Sequence, residues 1–129
     1  MTTSLKIVHW LPRIICILAV LFISMFALDA FEPGLSLGQQ LLHFFMHLIP
    51  SFILLGILVL AWKWEKSGGI IFTIIGLVFS VLVFNINYYR NHFSLGQSLL
   101  IVLAIAIPFV LVGVLFMVSN RMKKREVLR

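Results

Sequence analysis

Four apolar segments joined by short links constrain this chain more than any other feature of its sequence. The segments cover about 14–31, 41–62, 70–88 and 99–118, which is 18 to 22 residues each. An α-helix rises about 1.5 Å per residue, so each segment reaches roughly 27–33 Å and matches a hydrocarbon core of about 30 Å. We therefore predict an all-α membrane protein with four transmembrane helices. It forms one integral membrane domain, 1–129, with a basic tail at 119–129.

The composition excludes the soluble classes of protein. Hydrophobic residues make up 62% of the chain and charged residues 11%, whereas soluble domains have about 45–50% and a quarter. The net charge of +6 does not indicate nucleic-acid binding, because half of the ten basic residues lie in the last nine positions. The single cysteine, Cys16, excludes dithiol chemistry and a cysteine-based zinc site. We expect neither an enzyme nor a cofactor.

The distribution of Lys and Arg predicts the orientation in the membrane. If the N-terminus is inside, the inner segments carry nine of these residues and the outer links carry only Arg90. Such a bias is typical of cytoplasmic segments, and an even number of spans puts both termini in the cytoplasm.

Proline and glycine predict two helix boundaries. Pro12 is expected in the first turn of helix 1, where its missing N–H costs nothing. Gly68 and Gly69 are expected to break the chain between helices 2 and 3.

A short sequence match indicates an internal duplication. Residues 36–42 and 94–100 agree at six of seven positions with an offset of 58, which also pairs Pro50 with Pro108. Each matched segment begins with a predicted S-x-x-Q capping box, formed by Ser36 with Gln39 and by Ser94 with Gln97. We predict two tandem parallel-repeat α-hairpins about an axis along the membrane normal, with both prolines kinking their helices at one depth.

The main candidate site is a polar cluster at the outer level. His43 and His47 are four residues apart and share one face of helix 2, and Ser51 extends that face one turn deeper. Asp29 and Glu32 lie at the end of helix 1, across a short link. We expect both imidazoles to point into the bundle or an outward-facing crevice, with Asp29 as the partner of one of them. Three interpretations stay open: a proton or ligand site, a divalent metal site, or hydrated groups at the headgroup level.

Small residues on helix 3 predict a packing seam. They follow helical spacing and allow close approach of a neighbouring helix, either inside the bundle or between subunits. The seam residues are Gly69, Thr73, Gly76 and Ser80.

The basic tail predicts contact with anionic lipid, at roughly 1 kcal/mol per basic residue. An anchor that only fixes the topology is the alternative. The tail residues are Arg121, Lys123, Lys124 and Arg125.

Several segments together resemble a family of small four-span bacterial membrane proteins of unknown function. They are WLPR at 10–13, FISMFALDAF at 22–31, MHLIP at 46–50, AWKWE at 61–65 and GGIIF at 68–72. The likeness is good over the first 72 residues and loose over the second hairpin. It implies a bacterial cytoplasmic (inner) membrane and no established activity.

The leading functional hypothesis is a small non-enzymatic integral membrane protein that self-associates or serves as a partner subunit, in contact with membrane lipids. The apolar spans have no charge near their centre, which weighs against the alternative of a small transporter or channel. A further alternative is a metal- or haem-binding membrane protein that uses His43 and His47.

Overall fold

The chain is helical nearly from end to end in a computed structural model. The model describes the backbone of all 129 residues and the side chains of all but Phe26. A 3-10 turn, Phe26–Ala30, extends the first helix, and a π-helical turn, Ile86–Arg90, extends the third. The α-helices are α1 Thr3–Met25, α2 Leu37–Lys63, α3 Glu65–Asn85, α4 Leu95–Ile105 and α5 Ile107–Val127.

Four segments are long and apolar enough to cross a membrane, which confirms the all-α prediction with four spans. The segments are Thr3–Ala30, Leu37–Lys63, Glu65–Arg90 and Leu95–Val127. All four exceed the predicted lengths, because polar and charged residues that flank the apolar runs remain helical, at the N-terminal end of the first run and at both ends of the other three. The fourth span consists of α4 and α5, which are interrupted at Ala106.

The helices form a four-membered ring in which α1 packs against α2 and α5, and α3 packs against the same two helices. The N-terminal amine lies 3.9 Å from Glu126 Oε2, so both ends of the chain are at one end of the bundle, here called the terminal end. The links at 31–36 and 91–94 lie at the opposite end, the loop end.

Small residues bring α3 and α5 together. A Cβ added at Gly69 would lie 2.7 Å from the Gly113 carbonyl oxygen, and one at Gly76 would lie 2.8 Å from the Val110 nitrogen. Thr73 and Ser80 donate hydrogen bonds to carbonyls of their own helix, at 2.8 Å each. The structure thus places the glycines of the predicted seam against α5, within the bundle.

Both predicted capping boxes are confirmed. Each serine hydroxyl accepts from the backbone N–H three residues later, and the glutamine there accepts from the serine N–H. The prolines that follow them differ, because Pro50 lies inside the continuous α2 whereas Pro108 begins α5 after the break at Ala106. The two prolines therefore lie in different helical contexts, and kinks at one depth stay a prediction.

The predicted position of Pro12 is also wrong. The first helix begins at Thr3, so Pro12 lies in its interior. The polar residues that precede the apolar run are helical too, so the helix begins earlier than the run. Pro12 has no N–H to donate to the Val8 carbonyl, and the Arg13 guanidinium donates to the neighbouring His9 carbonyl.

The predicted break at Gly68 and Gly69 is wrong as well. Trp64 alone joins α2 to α3, with φ −125° and ψ 79°, and both glycines lie inside α3. Their small size has another use, because a Cβ at Gly68 would collide with Ala61 of α2. The glycines permit close packing beside Trp64, which forms the corner between α2 and α3.

The core lies in the terminal half of the bundle. Phe72 and Phe116 stack there, with ring centroids 6.1 Å apart. The buried cluster consists of Cys16, Leu54, Leu58, Ala61, Phe72, Phe109, Val112 and Phe116.

The loop half is less closed. Among the described residues α4 packs along α3 and makes at most marginal contact with α1 and α2. Two apolar clefts lie beside the α4–α5 junction, and both reach the core residues Leu54 and Phe109. The first cleft, of about 150 Å³, lies between α1 and the junction and is lined by Ile15, Ala19 and Pro108 among others. The second cleft, of about 460 Å³, lies between α2 and α3 and is lined by Ile53 and Val78 among others.

Candidate functional site: a buried ionic cluster

Glu65 is the centre of an ionic cluster at the terminal end. Its side chain is only 6% exposed, and its Oε1 accepts hydrogen bonds from Arg13 Nη2 and Lys123 Nζ, both at 2.8 Å. His9 Nδ1 lies 2.9 Å from the same oxygen, and the Ser119 hydroxyl donates to it at 3.3 Å. A buried carboxylate is costly unless cations and hydrogen bonds compensate it, and here several groups converge on one oxygen.

Helical spacing explains how these groups meet. His9 and Arg13 are four residues apart on α1, and Ser119 and Lys123 are four residues apart on α5, so each pair shares a helix face. Glu65 is the first residue of α3, where the helix dipole favours a negative charge. Three of the four spans therefore contribute to one cluster.

Arg13 connects this cluster to α2, the remaining span. Its side chain is 1% exposed, and its Cζ lies 5.2 Å from the Trp62 ring centroid and 5.1 Å from that of Phe116. Contacts of this kind contribute roughly 0.5–2 kcal/mol each. Within the described part of the chain the Arg13 Nε has no hydrogen-bond partner.

The cluster carries a positive surplus. Arg13 and Lys123 bring two permanent charges against the one carboxylate of Glu65, so the sum is +1 when His9 is neutral. The Lys123 side chain is 36% exposed, so its ammonium reaches the edge of the bundle. The arrangement can hold spans together at one end.

The outer histidines do not form the predicted enclosed site. Both are exposed, and His47 Nδ1 lies 2.8 Å from the backbone carbonyl of His43. Asp29 is exposed too, and no ion pair joins it to either ring in the described part of the chain. The expected pairing of Asp29 with a histidine is therefore wrong. α2 still packs against the 3-10 turn Phe26–Ala30 at this level, where Phe44 and Leu48 are half-buried, so the two histidines lie on a side of α2 that no neighbouring helix covers among the described residues.

The other members of the predicted set lie apart from one another. Ser51 is buried against α1, with the Ser24 hydroxyl 3.0 Å from its own. Glu32 is exposed. Among the residues whose side chains are described, no group of three or more His, Cys, Asp and Glu is placed to hold a metal ion.

The basic tail divides in two. Lys123 turns inward to the ionic cluster, whereas the other three predicted tail residues are exposed on the surface. Those three are Arg121, Lys124 and Arg125.

Sequence reasoning used Arg13 only for the orientation and assigned Lys123 to the basic tail, and it gave Glu65 no role in a site. One signal could have found the site, because Glu65 is the only acidic residue before the tail on the side rich in Lys and Arg. The i, i+4 pairs on α1 and α5 are the second part of that signal.

Four apolar helices with a buried ionic cluster at one end are compatible with a polytopic membrane protein. The chain belongs to the family described as Domain of unknown function (DUF7670), which matches residues 1–128. No curated protein and no solved structure matches the chain. The predicted membership of a family of unknown function is confirmed to that extent.

Proposed function

We propose that this protein is a small non-enzymatic integral membrane protein that works by self-association, with a second copy docking against the loop half. The observation that carries the proposal is the contrast between the two halves of the bundle. The terminal half has a packed core and the ionic cluster, whereas α4 leaves two apolar clefts open. The packed terminal half gives the bundle a stable scaffold on which a second copy can dock.

The shape of the loop half favours a second copy as the occupant. α4 presents large exposed apolar side chains, among them Leu99, Leu100 and Leu103, next to concave clefts. A surface with both ridges and clefts can complement itself about a two-fold axis, which is the commonest symmetry of homo-oligomers. Lipid acyl chains are the competing occupant.

The ionic cluster supports a structural role in preference to catalysis. Arg13 is held between two aromatic rings and bonded to Glu65, so its guanidinium is fixed in the interior. Breaking such a buried pair costs more than its formation contributes. This favours its use as a lock between spans.

We place the protein in the bacterial cytoplasmic membrane with both termini in the cytoplasm. The support is the nine-to-one excess of Lys and Arg on the terminal side. The exposed Trp10, Trp62 and Trp64 near that end suit a membrane–water boundary.

We further propose that the two hairpins arose by duplication. The offset of 58 pairs buried positions of α2 with buried positions of α5. These pairs are Ser51 with Phe109, Leu54 with Val112, Leu58 with Phe116 and Ala61 with Ser119. The ring arrangement also supports it, because equivalent spans occupy opposite corners.

Cross-linking in membranes tests the self-association. In a Cys16→Ala background, Leu103→Cys should give a dimer with a bifunctional maleimide. The matched control is Val59→Cys, which is similarly exposed but lies on the terminal half of α2. A monomer at both positions would overturn the proposal and assign the clefts to acyl chains.

A further inference from the structure

A second polar feature lies beside the ionic cluster, on the outer side of the α2–α3 corner. It is a pocket of about 330 Å³, within the range of roughly 300–1,000 Å³ that is typical of ligand sites. Its walls combine the corner with the last part of α5, and they include Lys63, Lys66, Ser67, Asn120 and Lys123. This corner pocket shares Glu65 and Lys123 with the ionic cluster, whereas Lys63, Lys66, Ser67 and Asn120 are not members of that cluster.

We infer that the corner pocket binds a phosphate group, and that its source is the headgroup of an anionic phospholipid in the leaflet at the terminal end. Three lysines line the pocket against one carboxylate, Glu65, which Arg13 and Lys123 already compensate. The charges of Lys63 and Lys66 are left over. A phosphate is the anion that lysine ammonium groups bind as point charges.

The two remaining lysines are available for a ligand. Lys63 lies with its Nζ 5.0 Å from the centroid of the Trp64 ring, and Lys66 is exposed without a hydrogen bond or ion pair among the described residues. Ser67 and Asn120 add neutral polar groups that can donate to phosphate oxygens. The pocket therefore offers both charge and directional donors.

The neighbouring tryptophans place the pocket at headgroup depth. Trp62 and Trp64 line it and are 43% and 54% exposed. Tryptophan is enriched at the membrane–water interface, where lipid phosphates lie. A phospholipid held here would extend its acyl chains along α2 and α3.

The site differs from general attraction of lipid by the basic tail. Arg121 and Lys124 are exposed on α5, and neither is among the described residues that line the corner pocket. They offer a control in which two positive charges are removed elsewhere at the same end of the bundle. The corner pocket also does not depend on the proposed self-association, which involves the loop half.

Lipid retention by the purified full chain tests the inference. We expect native mass spectrometry to show bound phosphatidylglycerol and little phosphatidylcholine. Lys63→Gln with Lys66→Gln should weaken phosphatidylglycerol binding by about 10- to 30-fold, since each lysine near an anionic headgroup contributes roughly a factor of five. Arg121→Gln with Lys124→Gln should change it less than threefold. Circular dichroism checks the fold, and Lys66→Gln alone serves if the double variant does not fold.

A parallel titration with inorganic phosphate tests whether the bound phosphate group belongs to a phospholipid headgroup or to a soluble phosphate. Displacement of the retained phosphatidylglycerol by inorganic phosphate supports the lipid headgroup as the source. Binding of phosphate alone, lost in the lysine variants, supports the pocket and assigns it to a soluble phosphate. Equal retention of phosphatidylcholine, an equal loss in the tail variant, or no binding of either probe would overturn the inference.

Discussion

Glu65 Oε1 and Lys123 Nζ lie 2.8 Å apart in space and 58 residues apart in sequence. The same offset relates 36–42 to 94–100. If the two hairpins are repeats, as we propose, residues at equivalent positions meet where they approach the axis that relates the hairpins. This ion pair is therefore the contact expected if an ancestral hairpin paired with a copy of itself and then diverged into opposite charges.

Removing the Glu65 charge should destabilise the bundle. Glu65→Gln leaves Arg13 buried without its carboxylate, and such losses cost about 3–5 kcal/mol. Reversible unfolding in mixed detergent micelles measures the change. The matched control is Glu32→Gln, which removes an exposed carboxylate and should alter the free energy of unfolding by less than about 0.5 kcal/mol. Equal stability of the two variants would show that the ionic cluster is not a lock.

A methyl group in the seam should separate α3 from α5. A Cβ at Gly113 would lie 2.6 Å from the Gly69 carbonyl oxygen, so we expect Gly113→Ala to lower the free energy of unfolding by about 1–3 kcal/mol. Gly56→Ala is the control, since no described atom beyond the adjoining backbone of its own helix lies within 4 Å of its added Cβ. That variant should be neutral or gain a few tenths to about 1 kcal/mol. A neutral Gly113→Ala would contradict the close packing.

The outer histidines should contribute little to stability. His47 is exposed, and among the described residues its ring hydrogen-bonds only with a carbonyl of its own helix, so His47→Leu should keep the melting temperature of the wild type in detergent. We expect this at mildly acidic pH and at pH 8 alike. A marked loss at acidic pH alone would restore the carboxylate pairing that the sequence suggested.

Reporter fusions test the proposed orientation. Fusions at both termini should report the cytoplasm, because nine of ten Lys and Arg residues lie on that side. Fusions at Gly34 and Asn91, in the two links of the loop end, should report the exterior. A C-terminus outside the cell would reverse the assignment and place the corner pocket in the other leaflet.

Local features of the fold were predictable from the sequence. The capping boxes at Ser36 and Ser94 depend on residues three positions apart, and the spans depend on continuous apolar runs. Gly68 and Gly69 show where this reasoning stops. A glycine pair can break a chain or admit a neighbouring backbone, and only the position of Ala61 decides between the two.

The ionic cluster depends on contacts that no local pattern contains. Arg13, Glu65 and Lys123 are far apart in sequence, and each alone is typical of a charged residue at the end of a span. The prediction of an enclosed site at His43 and His47 is wrong for the opposite reason. Its spacing is locally convincing, but whether a helix face is enclosed depends on where its neighbours pack, and the packing of α2 on the 3-10 turn Phe26–Ala30 leaves both histidines exposed.

The separation of Arg13 from its carboxylate has a consequence for biosynthesis. Arg13 precedes Glu65 by 52 residues, so the ribosome completes the first two spans before the counter-charge exists. Until then the guanidinium is stabilised best by water and lipid phosphates at the membrane surface. The cluster is complete only when α5 supplies Lys123, so we expect the terminal end of the bundle to close after the last span has been synthesised.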